Sequence, residues 1–456
     1  MERFDVFVVG GGGTGSEVAF SLGDRSKLRI GIAERDKLGG ECNHYGCVPT
    51  KVMLRSAKVA ASARDARRFG VRTGDVEVDF RAVMERARGI IDGFSGGGAK
   101  PFEEQGIKVI FDEVRLVGPH RLETASGEHI EAEYIVLATG TEPTAPPIPG
   151  LADAPYWTNK EAIWGSDHVP SSLIVLGSGP IGIEFAQIFS RFGAKVTVVE
   201  IFDRILYLED PDSSSAMVPA LEAEGITLLT GAKTTRIEHD SSGWRLYIEG
   251  HGEPVTSEAL LVATGRKPCF DEHDLAAAGV EMKDGKPVLD ETLRTTGEKI
   301  WAAGDATGDL LFTHVGGYEA AIVVDDILGT RRPRDYRVVP KVTYCEPEVA
   351  SVGLTEETAR KQGAHVVTSL LKIEDNERAV IEGATHGIVK LVADKRSGEL
   401  LGGHIVAEAA GDMIHEVVGA MAARIPPKVI GEAIHSYPTL SESVKGAFLG
   451  LAEQLP

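Results

Sequence analysis

One arrangement occurs twice in this chain, and it constrains the fold more than anything else. The segment "FDVFVVGGGGTGSEVAF" reads as an apolar strand, then Gly10-x-Gly12-x-x-Gly15, then a helix start. A second strand, "LRIGIAE", ends at Glu34. Further on, "SLIVLGSGPIGIEFA" supplies Gly177-x-Gly179-x-x-Gly182, and "AKVTVVE" ends at Glu200. The acid follows the first glycine by 24 residues in one copy and 23 in the other. Each copy is followed later by a strand running into the tripeptide Ala-Thr-Gly, once at Thr139–Gly140 and once at Gly265.

A single GxGxxG is weak evidence, but two in full strand–turn–helix context are strong. The glycines permit a tight turn and close approach of backbone to a pyrophosphate, and the helix N-terminus offers N–H groups and partial positive charge. The acid accepts hydrogen bonds from a ribose diol. Two dinucleotides are therefore implied. The fold class expected is α/β, with two Rossmann-like dinucleotide-binding domains.

The length of 456 residues suits about three domains at roughly 150 residues each. The net charge of −20 argues against nucleic acid, which needs clustered Lys and Arg. "MERFDVFVVGGGG" enters a strand with no basic leader, and no apolar run approaches a membrane span, so a cytoplasmic protein with no membrane partner is expected. Helices are expected over about 47–66, 80–94 and 313–328, a glycine hinge at "SGGG" (95–98), and a β-meander over "KVIFDEVRLVG" and "HRLETASGEHIEAEY". After "RRPRDYR" the texture changes to strands ("GIVKLVAD", "LLGGHIVAE") and a helix ("GDMIHEVVGAMAA") with no third fingerprint, as in an α+β domain.

The chain has four cysteines, and two of them, Cys42 and Cys47, stand close together in "GGECNHYGCVPTK". On a regular helix, residues five apart have Cα atoms about 8–9 Å from each other, too far for a bridge. A disulfide here requires a distorted segment, and Gly46 and Pro49 are the residues that allow one. A structural zinc site wants four ligands; no second close cysteine pair exists, and His44 reads as a solvated side chain, so redox chemistry is favoured and no metal is assigned. Cys269 and Cys345 are isolated and read as packing residues.

These motifs together resemble the pyridine nucleotide–disulfide oxidoreductases, the flavoprotein family of dihydrolipoamide dehydrogenase, glutathione reductase and mercuric reductase. "GGECNHYGCVPTK" is similar to the family's GGxCxxxGCxPSK, with Glu41 where Thr is common and Thr50 for Ser. "IWAAGDAT", "VATGRKP" and "PEVASVGLTEE" resemble further family motifs. The resemblance implies a glutathione reductase-like fold: an FAD-binding domain over 1–148 that returns at 269–335, an NAD-binding domain over 149–268, and a dimerisation domain over 336–456.

It also implies roles. FAD would lie in the first fingerprint, with Glu34 on its adenosine ribose and Asp305, after Gly304, on its ribityl chain. Cys47 would face the flavin and Cys42 would exchange with substrate. Lys51 would sit beside the flavin, paired with Glu184. Glu200, with no basic pair replacing it and Arg204 as a modest counterweight, would favour NAD(H) over NADP(H). Pro180 stands where some relatives carry a bulky gate. In "IHSYPTLSE", which resembles HxHPTxxE, Tyr437 replaces the usual catalytic His, and the carboxylate that would orient it, Glu442, is kept. That segment implies a homodimer. The expected activity is electron transfer between NAD(P)H and the thiol pair, acting on a small-molecule or protein-bound disulfide or dithiol in the manner of dihydrolipoamide dehydrogenase. The alternatives are a mercuric reductase-like metal-ion reductase, which the Tyr favours, and a flavin-bound redox sensor or partner-binding subunit. Mercuric reductases usually end in a cysteine pair, whereas this sequence ends "GLAEQLP".

Overall fold

A computed structural model describes residues 1–95 and 97–456. Gly96, within the "SGGG" stretch, lies outside the described residues. The chain divides into two compact units. The first gathers Met1–Val52, Ala82–Thr144 and Gly265–Asp335; the second gathers Met53–Arg81, Ala145–Thr264 and Tyr336–Pro456.

The first unit is built on a seven-stranded sheet. Lys108–Phe111, Ile30–Glu34, Glu2–Val9 and His129–Leu137 lie side by side in parallel. Ile30–Glu34 is buried along its whole length, which is why it reads as an uninterrupted apolar run rather than an alternating one. The long strand His129–Leu137 changes partners along its length. Its first half pairs antiparallel with Arg121–Thr124, and its end pairs parallel with Ile300–Ala302. That second pairing is how the chain returns to this sheet after its long excursion. The expected meander needs one correction. Val114–Gly118, Arg121–Thr124 and His129–Leu137 form it, but Lys108–Phe111 adds instead to the parallel edge beside Ile30–Glu34. The turn at Asp112–Glu113 separates the two roles: the Asp112 carboxylate accepts the Glu113 and Ser126 N–H groups, fixing the meander's start.

The second unit holds a four-stranded parallel sheet in the order Thr227–Leu229, Lys195–Val199, Ser172–Leu176, Ala259–Val262. It also holds a three-stranded antiparallel sheet (Thr234–Asp240, Gly243–Ile248, Val255–Ser257). Its C-terminal part is a five-stranded antiparallel sheet, ordered Pro340–Thr343, Glu348–Gly353, Leu400–Ala407, Ile388–Asp394, Val366–Lys372. Met413, Ile414 and Val417 from helix Ala410–Ala422, and Val444, Ala447 and Phe448 from helix Ser441–Ala452, pack with strand residues such as Leu391 and Ile405 in one core. Among the described residues no helix is long and apolar enough to cross a membrane.

Candidate active site

The two fingerprints fold into nearly the same local object. Gly10 takes φ +107° and Gly177 φ +103°, left-handed backbone that favours glycine. A Cβ on Gly15 would lie 1.9 Å from the Gly10 carbonyl oxygen, and one on Gly182 would lie 2.1 Å from that of Gly177. Helix and turn therefore approach more closely than any side chain allows. Helices Gly13–Arg25 and Pro180–Phe192 begin without a side-chain cap, leaving their first N–H groups for other acceptors. Pro180 sits in the first turn, where its missing N–H costs nothing.

The two acids do something the sequence did not reveal. Glu34 accepts the Gly11 N–H at 2.8 Å and the Asp36 N–H at 2.7 Å. Glu200 accepts the Ser178 N–H at 2.8 Å, the Ser178 hydroxyl at 2.7 Å and the Phe202 N–H at 3.0 Å. Each buried carboxylate thus ties the glycine turn to the end of the neighbouring strand. Near Glu200, Arg204 donates to the Tyr207 carbonyl at 2.8 Å, and Phe202 stacks on Tyr207.

Beside Glu34 opens a cleft of about 570 Å³. Gly10, Glu34, Arg35, Thr139, Glu142 and Cys269 are among the residues that line it. The Thr139 hydroxyl is buried there and has no hydrogen-bond partner among the described residues. An orphaned donor, an uncapped helix and an acid at the strand end together fit a dinucleotide. Cys269 is half-buried and lines the cleft, with an Arg35 nitrogen 4.0 Å from its sulfur. Cys345 is buried, and burial pushes its thiol well above the ordinary range.

Gly304 and Asp305 follow the returning strand Ile300–Ala302. Gly304 is held by its N–H to Glu319 at 2.6 Å. Asp305 accepts the Thr141 hydroxyl at 3.1 Å. Burial raises its pKa, while the Thr141 bond and the Arg266 charge oppose that rise. Gly140 takes φ +69° beside this group, and Gly265 leads into Arg266.

The thiol segment is two helices rather than one distorted helix. Gly40–His44 carries Cys42; the chain breaks at Tyr45–Gly46, and Cys47 begins the 19-residue helix Cys47–Asp65. A Cβ on Gly46 would lie 3.2 Å from the Glu41 carbonyl oxygen, so the break packs backbone on backbone. Pro49 does not cause the distortion. It sits in the first turn of the long helix, where its missing N–H is tolerated. Both thiols are unbridged, Cys42 half-buried and Cys47 exposed. A hydrogen bond with Cys47 and burial hold the Cys42 thiol well above its ordinary pKa; Thr313 and Lys51 oppose this. The Cys47 sulfur lies 3.6 Å from the Thr313 hydroxyl, and Thr313 opens helix Thr313–Ile327. His44 is not solvated: its Nε2 lies 2.9 Å from the Leu38 carbonyl.

In the second unit Glu184 is buried and accepts the Tyr344 N–H at 3.0 Å. Tyr437 is 71% exposed. Glu442 accepts the Thr439 N–H at 3.1 Å, so within one chain it fastens the Pro438–Thr439 turn rather than the Tyr437 phenol. His435 has its Nε2 2.6 Å from Glu416 and its Nδ1 3.1 Å from the Ala433 carbonyl, engaging both ring nitrogens. Among the described residues no cluster of three His, Cys, Asp or Glu is placed to hold a metal ion.

Residues 4–323 match the family model described as pyridine nucleotide-disulphide oxidoreductase. The chain belongs to this family. Residues 339–448 match the dimerisation domain of the pyridine nucleotide-disulphide oxidoreductases. A dihydrolipoyl dehydrogenase of Bacillus subtilis (strain 168) is 34% identical over 98% of this chain and 98% of its own length. A mercuric reductase of Bacillus cereus is also 34% identical, over 98% of this chain and 71% of its own length. Among solved structures, the HOCl-induced flavoprotein disulfide reductase RclA from Escherichia coli has a TM-score of 0.86 at 28% identity, covering 98% of this chain and 99% of that one. LpdA from Mycobacterium tuberculosis has a TM-score of 0.87 at 25% identity, covering 99% of this chain and all of the other. Pyridine nucleotide-disulphide oxidoreductases are FAD-dependent enzymes that use pyridine nucleotides, and this member has their α/β fold with an added dimerisation domain.

Proposed function

We propose that this enzyme moves electron pairs between NAD(P)H and the Cys42–Cys47 pair, with a disulfide or dithiol as its other substrate, in the manner of dihydrolipoamide dehydrogenase. The observation that carries the reading is the thiol pair itself. Cys42 and Cys47 share a hydrogen bond at the start of a long helix, beside Thr313, in the same unit as the cleft at Glu34.

FAD, when bound, supplies a two-electron relay between nicotinamide and thiols. Gly10, Gly12, Gly15, Glu34, Thr139 and Asp305 would hold it, and Gly177, Gly179, Gly182 and Glu200 would hold the nicotinamide nucleotide, NAD(H) in preference to NADP(H). In this reading 1–148 and 269–335 form the flavin domain, 149–268 the nucleotide domain and 336–456 the dimer contact of a cytoplasmic homodimer. Lys51 stabilises thiolate. Cys42, as thiolate, attacks one sulfur of the substrate disulfide and expels the other as thiolate. Cys47 then attacks the Cys42 sulfur of that mixed disulfide and releases the second substrate thiol. The Cys42–Cys47 bond forms, the substrate gains two electrons, and two protons complete its thiols.

Tyr437 supports a second reading, a metal-ion reductase. An exposed phenol replaces the imidazole that would serve a dithiol substrate. Steady-state NADH oxidation with lipoamide, glutathione disulfide, Hg(II) and a quinone separates the readings. Turnover with a disulfide supports the first and turnover with Hg(II) alone the second. Flavin reduction with no turnover on any acceptor overturns both and points to a sensor.

A further inference from the structure

Glu41 stands between the Gly39–Gly40 turn and the interchange thiol Cys42, and its partner is far away in sequence. Its carboxylate lies 3.0 Å from the Arg266 guanidinium. Arg266 is well buried, with 12% of its side chain exposed, and it also donates to the Thr141 hydroxyl and the Thr141 carbonyl, both at 2.9 Å. Thr141 in turn donates to Asp305 at 3.1 Å. One continuous chain of polar contacts therefore runs from the residue before Cys42 to the Gly304–Asp305 motif.

The turn ahead of Glu41 needs such an anchor. Gly39 and Gly40 both take positive φ, +92° and +55°, so the backbone there has the widest conformational freedom available. One side is pinned to the first fingerprint: the Gly39 N–H donates to the Gly11 carbonyl at 2.8 Å, and a Cβ on Gly40 would lie 2.8 Å from Gly12 Cα. The five-residue helix that follows has no side-chain cap. On its other side the Glu41–Arg266 ion pair joins two neutral ties, Asn43 Nδ2 to the Ser95 hydroxyl at 3.1 Å and His44 Nε2 to the Leu38 carbonyl at 2.9 Å.

We propose that Glu41 is a positioning residue for Cys42, clamping the short helix Gly40–His44 onto Arg266 and, through Thr141, onto Asp305. A threonine at this position is too short to form that ion pair, so the clamp belongs to this chain's own sequence. Charge acts in the same direction. Two carboxylates, Glu41 and Asp305, share one buried guanidinium, and burial already disfavours the charged form of Asp305. Removing either end of the Glu41–Arg266 pair loosens the helix and changes the charge beside Cys42, which also faces Cys47, Thr313 and Lys51.

The inference rests on Cys42 as the substrate-facing thiol for its consequence, but its test does not require turnover. FAD-loaded protein is reduced, freed of reductant and pulsed with iodoacetamide from neutral to alkaline pH, and Cys42 alkylation is read by mass spectrometry. Glu41→Ala should raise the limiting alkaline rate at Cys42 by about threefold or more, and Arg266→Ala should do the same. The double variant should not exceed Arg266→Ala, because that change already removes the Glu41 contact. Glu41→Gln, which still offers an oxygen to Arg266, should keep a limiting rate close to wild type while its pH midpoint falls, since a nearby negative charge is gone. Cys345, buried in the fold, should stay unlabelled throughout. Labelling there marks an unfolded variant, and Glu41→Gln and Arg266→Lys then decide the outcome. Unchanged limiting rates in both alanine variants, or effects that add in the double, would overturn the clamp. Neither result bears on electron delivery to the pair, which the NADH experiments test separately.

Discussion

The Cys47 sulfur lies 3.6 Å from the Thr313 hydroxyl, and each residue is the first of its helix. Two helix N-termini therefore converge on one thiol. Each brings the partial positive charge of a helix N-terminus, so negative charge is favoured at the point where they meet.

This geometry supports the proposed role of Cys47 as the thiol that would hold charge beside the flavin. Two-electron reduction of the yellow holoprotein should produce a long-wavelength absorption band that Cys47→Ser abolishes and Cys42→Ser retains. Thr313→Val removes a donor that favours thiolate, so the band should titrate about 1 pH unit higher in that variant. A band that survives Cys47→Ser assigns the flavin-facing role to Cys42 instead.

Glu200 holds the Ser178 and Phe202 amides, and the proposed function adds a role in nucleotide choice. Repulsion between its carboxylate and a 2′-phosphate should favour NADH over NADPH by about 5- to 150-fold in kcat/KM, or 1–3 kcal/mol. Glu200→Ala should narrow that gap. It should also destabilise the protein by about 1–3 kcal/mol, because the Ser178 and Phe202 N–H groups lose their buried acceptor. Paired kinetics and thermal unfolding check both. Equal use of the two nucleotides by the wild type counts against Glu200 as the discriminator.

Arg191 contributes to acid stability in the second unit. Its guanidinium is 7% exposed and bonds Glu224 twice, at 2.7 and 2.8 Å, and Glu346 at 2.6 Å. Burial pushes the Glu346 pKa upward, but its bond to Lys58 and the Arg191 charge outweigh that, leaving it below 4.5. A carboxyl with a depressed folded-state pKa contributes stability above its unfolded value and loses it as pH falls through the folded one. Stability should therefore decline below pH 4.5. Arg191→Met should cost about 3–5 kcal/mol at neutral pH and flatten the acid decline, as urea unfolding across pH would show.

The fingerprints and the thiol pair were legible in the sequence because their physics is local. A glycine that must take left-handed backbone, or whose neighbouring carbonyl leaves no room for a Cβ, leaves a mark at its own position. The strand pairing of Lys108–Phe111 was not legible, because a short apolar run carries no sign of which neighbour it joins. Glu41, Arg266, Thr141 and Asp305 come from four segments that meet only in the fold: Arg266–Pro268 pairs with Thr141–Pro143, and Asp305 follows the returning strand. The acids at Glu34 and Glu200 were found, but not the backbone amides they hold, since any residue supplies an N–H.

On the proposed reading, Tyr437 should make this enzyme a weak one for lipoamide. Imidazole exchanges protons near neutral pH and a phenol does not, and such help is typically worth about 10²–10⁴-fold. His435 does not substitute readily, with both ring nitrogens already engaged by Glu416 and Ala433. Tyr437→His should raise lipoamide turnover, provided Glu442 releases the Thr439 amide to orient the new ring. High wild-type lipoamide activity that persists in Tyr437→Phe would contradict this and return attention to His435.

Electrons from NADH should arrive at Cys42 and Cys47, and the proposed reaction depends on that delivery. Oxidised, FAD-loaded protein is mixed anaerobically with NADH, quenched, alkylated and mapped by mass spectrometry. New labels should appear on Cys42 and Cys47 together, with none gained at Cys269 or Cys345. A flavin fully bleached by NADH while neither Cys42 nor Cys47 gains a label would contradict the account.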